Sequence, residues 1–223
     1  LGRDVFSRVI IASRVSLQVG FVSVGIALGL GVPVGLIAGY YGGRIDSILM
    51  RLMDILFSIP AIVLAIAILA ALGPDIVNAM IAIGVVYTPI FARITRGSVL
   101  TLRDAVFVQA ARSIGASDLR IIGNHVFPNV IAPIIVQTSL SLAFAILAEA
   151  ALSFLGLGVQ PPNPAWGRML SEGRAFFQQA PWMAIFPGLA IFATVFAFNA
   201  LGDGLRDALD PQQRSIIESR GRP

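Results

Sequence analysis

Long apolar runs alternate with short polar segments along the whole chain. Five runs approach or exceed the roughly 20 residues that a helix needs to cross a bilayer, and they cover residues 15–40, 48–72, 76–92, 130–156 and 183–201. Glycine and proline interrupt the pattern at Gly42–Gly43 and Gly73–Pro74. This pattern predicts an all-α fold, a polytopic membrane helical bundle of about five transmembrane helices.

The composition is typical of a membrane protein, and it excludes several kinds of catalytic and metal-binding site. Hydrophobic residues make up 57% of the 223 residues and charged residues only 13%, against roughly 25% charged in soluble domains. All 16 basic residues are Arg, there is no Cys, and His125 is the one His. An ATP site with a Walker A lysine and an ordinary zinc site are therefore excluded. We expect no cofactor, no metal and no catalytic residue.

The arginines predict the orientation in the membrane. In a five-span topology, one side holds eleven of them: Arg44, Arg51, Arg93, Arg96, Arg103, Arg112, Arg120, Arg206, Arg214, Arg220 and Arg222. The other side holds five: Arg3, Arg8, Arg14, Arg168 and Arg174. Because cytoplasmic loops are enriched in basic residues, the loop 93–128 is predicted to be cytoplasmic. The same excess of arginine explains the net charge of +4, so we expect no binding to nucleic acid.

The segment before the first run is amphipathic. In residues 1–14, Val5, Phe6, Val9 and Ile10 fall on one helical face. The segment either lies along the outer membrane interface or forms the first turns of the first span. With this segment outside, we expect an earlier span to be missing from the sequence.

Few ionisable or amide side chains interrupt the spans. Glu149 and Gln137 are 12 residues apart, which places them on nearly the same helical face. These two and Asn199 either face a translocation path or make buried hydrogen bonds to another span. Asp54 is predicted to pair with Arg51, one turn away at the edge of its span.

The loop 93–128 carries a helical pattern of its own. Apolar positions in residues 101–114 lie mostly at helical spacing, and Gly115 follows, suited to a left-handed helix end. Ser117 or Asp118 can cap a second short helix, and Pro128 suits the start of the fourth span. A compact helix–turn–helix held by spans at both ends suits protein docking better than DNA reading.

The same loop resembles the EAA loop of ABC importer permeases. That pattern is Glu-Ala-Ala, three residues, Gly, nine residues, then Ile, any residue, Leu and Pro. The chain has Gln109-Ala110-Ala111, three residues, Gly115, nine residues, and the run from His125 to Pro128. The spacing is intact, although Gln109 stands in place of the Glu and His125 in place of the Ile.

Longer stretches narrow the resemblance to the C-type subunit of the dipeptide/oligopeptide/nickel permeases. They are LGRDVFSRVI, AGYYGGRID, SIGASDLRIIGNHVFPN, EAALSFLGLGVQPPNPAWGRML and LGDGLRDALDP. The resemblance implies an ABC importer type I-like transmembrane domain over residues 15–210, a cytoplasmic tail over 211–223, and one more span before the present start. It also implies a location in the bacterial inner membrane and a heterodimer with a second permease subunit, which together form the translocation path.

The resemblance further implies two cytoplasmic ABC ATPase subunits, which hydrolyse the ATP, and an external substrate-binding protein. The residues expected to couple to the ATPase are Gln109, Ala110, Ala111, Gly115, Asp118, Arg120, His125 and Pro128. The external loop 157–182, with Trp166 and Trp182, either contacts the binding protein or outer mouth, or only anchors at the interface.

Two other classes of protein fit the sequence less well. A secondary transporter or channel subunit is the alternative, but it usually has repeated halves and broken helices at the midplane, and no repeat is evident. An intramembrane enzyme would need paired catalytic residues at membrane depth, and no convincing pair is evident in the spans. The substrate stays open among peptides, nickel chelates, glutathione and opines.

Overall fold

The computed structural model describes residues 4–209, and all the regular structure in that range is helical. The predicted tail 211–223 and residues 1–3 lie outside the described residues. The helices are α1 (Val5–Tyr41), α2 (Gly43–Ser58), α3 (Ala61–Leu72), α4 (Ile76–Leu102), α5 (Val106–Ser113), α6 (Asp118–Ile121), a π-helical turn (Ile122–Val126), α7 (Phe127–Phe154), α8 (Trp166–Arg174) and α9 (Trp182–Leu209). The predicted all-α fold is confirmed.

The number of spans agrees with the prediction of about five. Within residues 4–209, four helical stretches are long and apolar enough to cross a membrane, and the bent pair α2–α3 is a fifth if it counts as one span. The helices run farther than the apolar runs suggested: α4 continues to Leu102, and the helical stretch that contains the fourth span begins at Asp118. Residues 5–14 form the first turns of the long helix α1.

The second span is not the single continuous helix that its apolar run suggested. It breaks at Ile59–Pro60, and α2 and α3 meet at 91°. Ile59 is extended, with φ −89° and ψ 130°, as expected for a residue that precedes proline. Local steric restriction by Pro60 therefore overrides the hydrophobic pattern.

Ion pairs hold α2 against α4. Asp46 accepts two hydrogen bonds from Arg96, at 2.5 and 2.6 Å. Asp54 accepts one from Arg93 at 2.6 Å, and the guanidinium of Arg93 lies 4.2 Å from the centre of the Phe57 ring. The prediction that Asp54 pairs with Arg51 is therefore wrong. Helix α4 continues beyond the apolar run 76–92 and brings Arg93 alongside α2.

Glycines allow α1 and α4 to approach at backbone distance. A Cβ at Gly31 would lie 2.5 Å from the Thr88 carbonyl oxygen, and one at Gly35 would lie 2.5 Å from that of Ala92. Such distances exclude any side chain, which is the reason for small residues at membrane helix interfaces. The α1–α4 pair is therefore the close-packed centre of the fold, with Phe91 completely buried beside it.

The outer helices close the bundle. Helix α7 packs against α1, α4 and α9, and α8 packs against α7 and α9. Helix α9 leaves much of its surface uncovered, with Phe192 67% and Phe196 65% exposed. In a membrane protein, such a face contacts lipid or another subunit.

Candidate functional site

The segment between α4 and α7 forms a compact projection, which we call the knob and define as residues 106–121. It consists of α5, a glycine turn and α6. The Ala116 N–H donates to the Ala111 carbonyl at 3.1 Å, and the Gly115 N–H donates to the Arg112 carbonyl at 3.0 Å. These bonds form a Schellman motif, in which Gly115 has φ +81°. The predicted left-handed helix end at Gly115 is confirmed.

The helices of the knob differ slightly from their predicted limits. The predicted helix over residues 101–114 is divided, because α4 ends at Leu102 and α5 begins at Val106. Ser117 precedes α6, but no side-chain hydrogen bond from it caps the helix. The knob joins α7 through the π-helical turn without a break.

Large apolar side chains project from the knob into the surroundings. Ile114 is 86% exposed, Val106 84% and Leu119 81%. Single exposed apolar residues are ordinary on protein surfaces, whereas several on one small polar-rimmed element indicate an interaction surface. These three side chains were not among the predicted contact residues, although each is visible in the sequence as an apolar residue of the same loop.

The predicted contact residues lie in and around the knob. Gln109, Ala110, Gly115, Asp118 and Arg120 are exposed, whereas Ala111 is buried in the base. The Gln109 amide donates to the Asp104 carbonyl at 2.9 Å. It therefore holds the start of the knob, which a glutamate at this position could not do, because an ionised carboxylate donates no hydrogen bond.

The two remaining predicted residues lie at the junction with α7. His125 is half-buried in the π-helical turn, and its carbonyl accepts a hydrogen bond from Asn129 at 2.7 Å. Pro128 is exposed near the start of α7, directly after the π-helical turn.

A tyrosine at the end of α1 joins both arms of the knob. The Tyr40 hydroxyl donates to an Asp118 carboxylate oxygen at 2.8 Å and accepts from Arg112 at 3.2 Å. The Arg112 guanidinium also lies 5.6 Å from the centre of the Tyr40 ring. Hydrogen bonding to Tyr40 raises the pKa of Arg112. Sequence reasoning did not identify Tyr40 as functional, because its partners are 72 and 78 residues away.

Glu149 is completely buried and bonded to another helix. Its carboxyl oxygens accept from Ser16 of α1 at 3.0 Å and from Ser153 at 2.7 Å. Ser153 in turn accepts from the Val159 N–H at 3.2 Å. The network therefore ties α7 to α1 and to the connection that precedes α8.

The other two candidate path residues make local bonds. Gln137 donates to Ser141 at 3.1 Å, and Asn199 donates to the Val195 carbonyl at 3.0 Å. A groove of about 840 Å³ lies nearby between α1, α7 and α9. Its lining includes Leu28, Val32, Ile131, Ile134, Leu142 and Leu201, and none of the three candidate residues.

The end of the bundle opposite the knob is held by α8. The Trp166 indole N–H donates to the Val9 carbonyl at 2.9 Å, and Glu172 accepts from Arg8 at 3.0 Å and from Arg168 at 3.2 Å. Burial raises the pKa of Glu172, but these hydrogen bonds outweigh burial and hold it below its usual value. Trp166 is thus buried against α1, while Trp182 is half exposed. Among residues 4–209, no cluster of acidic or His side chains is arranged to hold a metal ion.

Curated bacterial proteins resemble the chain over nearly its whole length. It is 53% identical over 214 residues to the dipeptide transport system permease protein DppC of Alkalihalophilus pseudofirmus, covering 96% of this chain and 70% of that protein. It is 48% identical over 215 residues to the glutathione transport system permease protein GsiD of Pectobacterium atrosepticum, covering 96% of this chain and 71% of that protein.

Solved structures share the fold at low sequence identity. A chain of the MetNI methionine ABC transporter in an inward-facing conformation superposes with a TM-score of 0.74 at 17% identity, over 94% of this chain and all of that one. A chain of an amino acid ABC transporter gives a TM-score of 0.69, also at 17% identity and with the same coverage. The bundle is therefore that of an ABC importer transmembrane domain.

The family comparison decides between the importer and the alternative of a secondary transporter or channel. The sequence model of the binding-protein-dependent transport system inner membrane component matches residues 31–215, which include the knob, the buried Glu149 and α9. The chain therefore belongs to the family of binding-protein-dependent transport system inner membrane components, as a multi-pass permease subunit of a bacterial ABC importer.

Proposed function

We propose that the chain is half of a heterodimeric permease that imports peptides or small peptide-like solutes, and that its knob docks on a separate ATPase subunit that hydrolyses the ATP. An external binding protein delivers the substrate in this assembly. The resemblance to a dipeptide permease at 53% identity and a glutathione permease at 48% supports this class of substrate.

The single observation that carries the docking proposal is the exposed apolar surface of the knob. Val106, Ile114 and Leu119 are each more than four-fifths exposed, and fully covering such a side chain contributes about 1.5–3 kcal/mol. The eleven-to-five arginine distribution supports a cytoplasmic location for this surface, where an ATPase has access to it. Gln109, Ala110, Gly115 and Arg120 form the rest of the proposed contact.

The docking proposal is tested by placing a charge on the apolar surface. In Ile114→Asp, a carboxylate replaces an apolar contact, and burying it without a partner is costly. We expect the ATPase to copurify with the wild-type permease pair and with the control variant Ile114→Val, but to be lost from Ile114→Asp. Equal copurification of the ATPase with all three would contradict docking through the knob.

The substrate proposal needs a separate measurement. Membrane vesicles containing the permease pair, the ATPases and the binding protein should accumulate a labelled dipeptide or labelled glutathione when ATP is supplied on the side of the ATPases. Accumulation should cease without ATP. Uptake of neither compound, in vesicles whose ATPase activity responds to the binding protein, would refute the proposed substrate class while leaving the docking proposal intact.

For the three candidate path residues, we propose different roles. Glu149 is completely enclosed by its own subunit, which supports a structural role in tying α7 to α1. Gln137 and Asn199 are only half-buried, and they remain our candidates for the translocation path.

A further inference from the structure

We infer that Tyr40 is a positioning residue that transmits movement of the knob to helix α1. The inference rests on the proposed docking of the knob to an ATPase. It concerns the other face of the same element, where the knob meets the bundle.

One hydroxyl group fixes both arms of the knob. Arg112 lies in the last turn of α5 and Asp118 at the start of α6, on either side of the Gly115 turn. The Tyr40 hydroxyl bonds to both, at 3.2 Å and 2.8 Å. Among residues 4–209, Tyr40 is the one residue of α1 whose side chain forms hydrogen bonds to the knob.

Both knob partners of Tyr40 are charged, and the Tyr40 side chain itself is buried. Tyr40 is 7% exposed, and hydrogen bonds to charged groups are stronger than those between neutral groups. The Arg112 guanidinium, 5.6 Å from the ring centre, adds a cation–π contact. The contact is therefore directional, and it restricts rotation of the knob about its base.

Helix α1 is held rigidly beyond this contact. Gly39 lies next to Tyr40, and a Cβ there would lie 2.7 Å from the Val99 Cβ. Together with Gly31 and Gly35, it packs α1 against α4. A displacement of the knob therefore reaches α1 through Tyr40, and the tight packing on α4 favours a shift of α1 as a rigid element.

The experiment compares two adjacent tyrosines. Tyr40→Phe keeps the ring, its burial and its cation–π contact with Arg112. It removes only the hydroxyl, which bonds to both Arg112 and Asp118. Tyr41→Phe is the matched control, because the Tyr41 side chain is 46% exposed and its hydroxyl makes no hydrogen bond within residues 4–209. Both variants are measured in the complete complex of permease pair, ATPases and binding protein.

We expect Tyr40→Phe to retain the ATPase and to hydrolyse ATP, while the amount of solute imported per ATP falls below that of the wild type, because the hydrogen bonds that join the knob to α1 are lost. Tyr41→Phe should match the wild type. Asp118→Asn keeps an acceptor oxygen for the Tyr40 hydroxyl and should retain most of the coupling, whereas Asp118→Ala should resemble Tyr40→Phe.

Two outcomes would overturn the inference. If Tyr40→Phe imports as much solute per ATP as Tyr41→Phe, the hydroxyl transmits nothing, although docking stands. If Tyr40→Phe loses the ATPase altogether, the hydroxyl only maintains the docking surface. Failure of docking itself is detected separately, by equal ATPase copurification with Ile114→Asp and wild type.

Discussion

At the scale of single residues, five of the glycines of α1 fall into two groups with different surroundings. Gly31, Gly35 and Gly39 lie against α4, whereas a Cβ added at Gly25 or Gly29 would meet no atom within 4 Å. All five have the spacing that indicates close helix packing. Spacing alone therefore identifies the motif but not the face that uses it.

This difference predicts opposite effects of the same substitution. In Gly35→Ala, the new Cβ would lie 2.5 Å from the Ala92 carbonyl oxygen, and overpacking costs typically about 1–3 kcal/mol. In Gly25→Ala, the Cβ meets no atom, and helix propensity favours alanine by about 1 kcal/mol. Thermal denaturation of the solubilised chain should show a lower midpoint for Gly35→Ala only. Equal midpoints would contradict the close α1–α4 approach.

At the scale of elements, the knob depends on the conformation of its turn. Gly115 is exposed and has no neighbouring atom within 4 Å of a Cβ, but its φ is +81°. A β-branched residue would therefore be strained by its own backbone and not by a clash. The cost is about 1–2 kcal/mol or more, and it falls on the Schellman motif that joins α5 to α6.

Gly115→Val should consequently distort the knob without removing a span. We expect the complex to insert normally and to lose substrate-stimulated ATP hydrolysis. Gly97→Val is the control, because Gly97 is also exposed and free of neighbours, but lies in ordinary helical conformation in α4. Unchanged stimulation in Gly115→Val would show that the conformation of this turn does not matter for coupling.

At the scale of the whole molecule, the knob and α8 lie at opposite ends of the bundle. Helix α1 connects them, since Val9 near its start bonds to Trp166 and Tyr40 near its end bonds to Asp118. The arginine bias predicts that the knob end is cytoplasmic. Because the sequence has no native cysteine, single engineered cysteines report on this orientation without background.

We expect an impermeant thiol reagent to label Gln178→Cys in intact cells and Ser113→Cys only after the membrane is opened. Both positions are exposed. Gln178 follows α8, and Ser113 ends α5. Labelling of Ser113→Cys alone in intact cells would invert the proposed orientation.

The sequence by itself determined the all-α membrane fold, the position of the knob and the left-handed turn at Gly115. These features depend on local chemistry: apolar runs of bilayer length, helical spacing, and a residue without a Cβ where φ is positive. The break at Pro60 also has a local cause, the restriction that a proline places on the preceding residue. It was not predicted, because the apolar run continues through it.

Only the tertiary structure decided which distant side chains meet. The contacts of Tyr40 with Asp118, of Glu149 with Ser16 and of Asp54 with Arg93 join residues that are 39 to 133 positions apart in the chain. Nothing in local spacing specifies these three contacts. The exposure of Ile114 and the burial of Ala111, only three residues apart, likewise follow from how the knob sits against Tyr40 of α1 and the π-helical turn. Such pairings depend on helix packing, which fixes the relative rotation and depth of each helix.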